Sequence, residues 1–230
     1  MNRENKPTTG HSTQDIIIAI LVFGSIWGFL EATLGGFLNL IIFPNKGAIM
    51  AGIGVAIMGM ALAIYRRPSM APAIGMVAAS FKLLNVWIFV PVSYVHIVNP
   101  ATAIFLESLA FSLVAALLMN RIARNPMVGV GAGALAGIIT AAAFVYFALY
   151  VTNSPLLQRL GVSGPVQFIA GSGLVQAAFF GIFLPIGYQL GERLAGIRLV
   201  SMSRPRYYAA SAAVICLCWA VSAIVVAAGL

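Results

Sequence analysis

Apolar stretches of bilayer-spanning length alternate with short polar links from one end of this chain to the other. The first 14 residues are polar and expected to be disordered, and apolar stretches follow at about 15–43, 47–65, 71–90, 100–119, 128–151, 165–190 and 207–229. At ~1.5 Å per residue such lengths match a hydrocarbon core of ~30 Å, and the first stretch is long enough to tilt or to extend past it. The expected fold is therefore all-α, a polytopic membrane protein built as a bundle of about seven transmembrane helices. A six-helix core and one C-terminal helix would form a single domain over residues 15–230.

Local signals add detail to this pattern. Ser12 and Asp15 have the spacing of a capping box at the start of the first helix. Further along, Gly24, Gly28, Glu31 and Gly35 recur at i, i+4, i+7 and i+11, one face of small residues with a carboxylate set in it. Gly75, Ala79 and Lys82 form a comparable stripe in the third segment, which Asn85 continues. Asn99 and Pro100 read as an N-cap followed by proline at the first helical position, which starts the fourth helix at residue 100. Gly133 and Gly137 carry the small-xxx-small spacing that lets membrane helices approach closely. Tyr146 and Tyr150 suit an interfacial belt, while Gln167 and Gln176 are expected to bond between helices.

Composition agrees with the pattern. The chain is 61% hydrophobic and 8% charged, with a mean hydropathy of +1.01, far from the values of a soluble domain. A net charge of +8 would suggest nucleic acid in a soluble protein, but the basic residues stand in links beside apolar spans. No nucleic-acid partner is expected. One side collects ten of them (Arg3, Lys6, Arg66, Arg67, Arg121, Arg124, Arg193, Arg198, Arg204 and Arg206), against Lys46 and Arg159 on the other. That bias predicts a multi-pass protein of the cell's inner (plasma) membrane with a cytoplasmic N-terminus. The N-terminal apolar run is too long for a cleavable signal core. Cys216 and Cys218 lie two apart in the last span and imply neither a disulfide framework nor a metal site.

The candidate chemistry lies where charge enters hydrocarbon. An ionisable side chain in a span costs roughly 2.5–3.5 kcal/mol, so it faces a partner or a wet cavity. Glu31, Lys82 and Glu107 are such residues, and counting from the expected outer helix ends puts them at one outward level. Asn85, Trp87, Tyr94, His96 and Asn99 stand above or beside them as groups suited to reading a small polar or aromatic solute. Glu31 and Glu107 would supply negative charge to a cationic or amphipathic solute, with Lys82 orienting them. A plainer reading has Lys82 neutralise Glu107 and fix helix packing, leaving Glu31 over, and has His96 as an interfacial residue. Gly24, Gly28, Gly35, Gly133 and Gly137 are expected to be packing positions. With no phosphate-binding loop, haem-ligand pair, metalloprotease signature or activated nucleophile, the residues give no support to an enzyme, a metal site or a cofactor.

The segments GSIWGFLEATLGGFL, AASFKLL and HIVNPATAIFLESLAF, with the chain's size and predicted orientation, resemble the S components of energy-coupling-factor transporters. These are small membrane proteins, usually of six helices, that capture vitamins or trace metals, and the likeness covers roughly residues 15–190. Such a resemblance implies membrane transport, with a vitamin or precursor bound near the outer side. It also implies a separate membrane coupling protein with ATPase subunits to drive release inside. Two other roles fit the residues: a non-catalytic structural subunit of a larger membrane complex, and a proton-coupled secondary carrier.

Overall fold

The computed structural model describes residues 12–84, 94–152, 163–196 and 203–229, with backbone alone at 39 and 94–96. Every regular element among them is helical: α1 Thr13–Leu40, α2 Lys46–Tyr65, α3 Met70–Ser80, α4 Tyr94–Ile122, α5 Pro126–Tyr150, α6 Gly164–Gly196 and α7 Arg204–Ala227. α3 ends in a 3-10 turn, Phe81–Leu83, and α6 contains a π turn at Ile169–Gly173. Six helices are long and apolar enough to cross a membrane, and α3 with its turn is a shorter apolar helix. The predicted remainder of the third span, to residue 90, lies outside the described residues, as do residues 153–162 and most of the polar N-terminal segment.

Several helix ends follow from their own residues. Asp15 Oδ2 accepts from the Ser12 amide at 3.1 Å and the Ser12 hydroxyl at 2.7 Å, while the Asp15 amide donates to Ser12 Oγ at 3.2 Å. This is the reciprocal capping box, with Asp in the place of the usual Glu or Gln. At the start of α5, Asn125 accepts from the Met127 amide at 2.9 Å, with Pro126 next to it in the first helical turn. The Asn99–Pro100 expectation is corrected here: α4 starts at Tyr94, and Pro100 lies inside the helix. Six earlier residues have joined the helix, so proline withholds one internal donor instead of marking an end.

Glycines show which helices touch and in what direction. A Cβ on Gly52 would meet Phe183 at 3.0 Å, one on Gly59 the Tyr188 amide at 3.2 Å, and one on Gly191 the Met60 carbonyl at 2.6 Å. α2 and α6 therefore run parallel in close contact. α5 is antiparallel to α6: Gly181 faces the Val130 carbonyl at 3.1 Å, and Gly137 faces the Ala177 Cα at 2.7 Å. On the other flank α1 packs along α3, with Gly24 against Val77 and Gly28 against the Phe81 ring. α3 in turn packs antiparallel to α4, where Gly75 rests on Ser108 and Ser112 donates to the Pro68 carbonyl at 3.1 Å. Gly24, Gly28, Gly133 and Gly137 are thus close-approach positions as expected. Gly35 is less tight: a Cβ there would stand 3.7 Å from the Glu31 carboxylate of its own helix and 3.9 Å from Met50 of α2.

This alternation gathers the described arginines at one end. Tyr65 at the end of α2 interacts with Tyr207 near the start of α7 and with Asp15 near the start of α1. Arg66, just beyond Tyr65, donates to the hydroxyl of Tyr188 on α6.

Candidate functional site

Glu31, Lys82 and Glu107 come from α1, the turn after α3, and α4. Lys82 sits where it does because of its neighbour. Phe81 is buried, seated on Gly28 of α1, and its ring centroid is 4.0 Å from that of Trp219 on α7. With Phe81 pinned between α1 and α7, the following residue turns toward α1. Lys82 Nζ stands 3.1 Å from Glu31 Oε2 and also donates to the Glu31 carbonyl at 3.4 Å. The pairing of Lys82 with Glu107 is therefore corrected: the lysine serves Glu31. A one-turn 3-10 segment advances each side chain about 120° where an α-helix advances about 100°, so the azimuth of Lys82 departs from that of a continued helix.

Glu107 is the carboxylate left over, and it is only 6% exposed. Its Oε1 accepts from Gln176 Nε2 of α6 at 3.4 Å, whereas its Oε2 is buried without a hydrogen-bond partner among the described residues. Glu31 and Lys82 both lie within electrostatic reach of it. Burying a polar oxygen without a bond costs about 1–3 kcal/mol, more if it is charged. Most buried polar atoms in native proteins are bonded to protein or ordered water, which marks this oxygen as an exception among the described residues.

Measured from the helix ends opposite the arginines, Glu31 is 9 residues from Leu40, Glu107 is 13 from Tyr94 and Gln176 is 12 from Gly164. Those separations are about 14, 20 and 18 Å along the helices. Glu107 sits deeper than the expected helix start at residue 100 implied, since α4 begins six residues earlier. The site is thus a carboxylate and an amide in mid-bundle, beside a closed lysine–glutamate pair.

The other predicted site residues divide. Asn85 and Trp87 lie outside the described residues, and Tyr94 and His96 are placed only as backbone in the first turn of α4. Asn99 accepts from the Thr152 hydroxyl at 3.4 Å and so ties α4 to the end of α5. Gln176 makes the interhelical bond expected of it, but Gln167 donates locally to Ser163 Oγ at 3.0 Å. Phe81 and Trp219 were not legible as site residues, because a phenylalanine among apolar residues carries no sign of what it will stack on. Among the described residues no three His, Cys, Asp or Glu side chains gather as metal ligands.

Comparison with protein-family models, with characterised proteins and with solved structures finds no match.

Proposed function

We propose that this chain is the solute-capture subunit of a membrane uptake system, taking a small organic solute such as a vitamin or its precursor from the side opposite the arginines. The observation that carries this reading is the buried Oε2 of Glu107, which has no hydrogen-bond partner among the described residues, while its other oxygen is held by Gln176 from a different helix. A solute donating a hydrogen bond or bringing positive charge would complete that carboxylate. The Glu31–Lys82 pair then belongs to the frame of the site, because its charges already satisfy each other. Asn85, Trp87, Tyr94 and His96 remain the proposed lining of the approach. With no nucleotide-binding motif in the chain, energy comes from a partner or an ion gradient, and the resemblance to S components favours the partner: a membrane coupling protein with ATPase subunits.

Two measurements test it. Glu107→Gln is expected to abolish the thermal stabilisation that the cognate vitamin or precursor gives to purified wild-type protein, while leaving the unliganded melting temperature within a few degrees. If a full panel of vitamins and precursors leaves wild type unmoved, the capture reading fails. Recovery of the native protein in fixed stoichiometry within a larger enzyme complex would instead support the structural-subunit role.

The seven-span topology, with the third span completed beyond Leu83 and the N-terminus in the cytoplasm, is part of the same proposal. Cysteine placed at position 159 is expected to react with an impermeant thiol reagent in intact cells, and cysteine at position 67 only after lysis. The opposite labelling pattern reverses the orientation.

A further inference from the structure

At the arginine-bearing end, a cleft of about 60 Å³ opens between the end of α4, the start of α5 and the last turns of α6. Arg124, Tyr188, Gln189 and Glu192 line it together with Pro126 and Pro185. One lining residue, Tyr188, accepts through its hydroxyl from Arg66 at the end of α2. Arg66 is placed there by the backbone: at φ 55° its amide closes α2 on the Leu62 carbonyl at 2.9 Å. The cleft thus carries Arg124, Glu192 and Gln189 in its lining, with Arg66 bonded to its Tyr188.

Its surroundings select the occupant. Arg66, Arg67, Arg121, Arg124, Arg193, Arg204 and Arg206 are all exposed, and with Asp15 and Glu192 the described residues at this end sum to 7 − 2 = +5. In the proposed topology these helix ends lie at the level of lipid headgroups, where basic pockets between transmembrane helices hold acidic ones. A guanidinium fork matches the two non-bridging oxygens of a phosphodiester. The cleft is far smaller than the ~300–1,000 Å³ of a small-molecule pocket, so it fits the head of a longer molecule. Met127 and Ile186, each next in sequence to a lining proline, are 72% and 54% exposed and offer apolar surface for acyl chains. Glu192 would repel a bare phosphate but accepts hydrogen bonds from headgroup hydroxyls.

We propose that this cleft is a binding site for an anionic phospholipid whose headgroup carries hydroxyls, of the phosphatidylglycerol type. Arg66 and Arg124 take the phosphate, while Glu192 and Gln189 take the hydroxyls. The site stands apart from the mid-membrane carboxylate and does not depend on the transport reading.

Native mass spectrometry of the full-length protein, titrated separately with phosphatidylglycerol, phosphatidylcholine and inorganic phosphate, tests it. Phosphatidylglycerol is expected to bind in a saturable one-to-one complex at least ~10-fold tighter than phosphatidylcholine. Arg124→Gln should remove about that factor, the worth of one charge-assisted contact. Arg124 is exposed, so the variant is expected to fold, and a wild-type melting temperature in lipid-free micelles checks this. Arg67→Gln, an equal loss of charge outside the cleft, should change affinity by less than about twofold. The proposal is overturned by equal binding of the two lipids, by an equal effect of the two substitutions, or by inorganic phosphate binding as tightly as the lipid.

Discussion

Lys82→Met is expected to destabilise the protein by about 3 kcal/mol, the lower end of the range for breaking a buried ion pair by removing one partner. The Glu31 carboxylate would be left 9% exposed with its cation gone. The lower end applies because 17% of the Lys82 side chain and 11% of the Glu31 side chain remain accessible. Glu31→Gln/Lys82→Met, which removes both charges, is expected to recover most of the loss, because neither member of the pair is left charged without the other. Reversible unfolding in mixed micelles measures all the variants. A single Lys82→Met within about 0.5 kcal/mol of wild type would show that the pair contributes nothing. A Lys82→Met loss that the double variant does not relieve would place the role of Lys82 outside the pair.

Gly187→Ala is expected to cost about 3 kcal/mol, although alanine is the better helix former. A Cβ there would run into the Ala56 backbone, with Cα at 2.5 Å and the carbonyl carbon at 2.6 Å. Neither atom can turn aside as a side chain can, so α2 and α6 must separate and lose contact along their shared length. Gly133→Ala should behave alike, since its Cβ would meet the Phe180 backbone. Gly131→Ala is the control: nothing lies within 4 Å of the added methyl, so about 0.5–1 kcal/mol of stabilisation is expected from propensity alone. Equal effects at positions 187 and 131 would mean that the helices do not meet as described.

Features decided within one turn of chain were legible before any packing was considered. Spanning segments follow from apolar length, because lipid forces each backbone group to bond within its own helix. The Ser12–Asp15 box depends on atoms three residues apart. Even these local signals have a limit, which the two Asn-Pro pairs show. At Asn125–Pro126 the preceding Ile122–Arg124 turn ends α4, so the asparagine is free to cap and the proline to begin α5. At Asn99–Pro100 the helix arrives from Tyr94 and absorbs the same dipeptide, with Asn99 bonded across to Thr152. The dipeptide sets a preference of about a kcal/mol, and contacts on either side outweigh it.

The candidate site was legible as a set of residues but not as a set of partnerships. Charge in hydrocarbon marked Glu31, Lys82 and Glu107 from composition alone, since the cost of burying each is a property of the residue. Which carboxylate Lys82 would meet depended on how α3 ends and on what holds that end. The 3-10 turn at Phe81–Leu83 shifts the azimuth of Lys82, and Phe81, wedged between Gly28 and Trp219, locks it toward α1. Gln176 reaches Glu107 only because α6 carries it to that depth. Glycine spacing likewise marked Gly133 and Gly137 but missed Gly187, because a glycine becomes a close-approach position only when a neighbouring backbone arrives beside it. Depth along a helix can be counted from its sequence, whereas rotation about the helix axis and the choice of neighbour are set by the packing of the other helices.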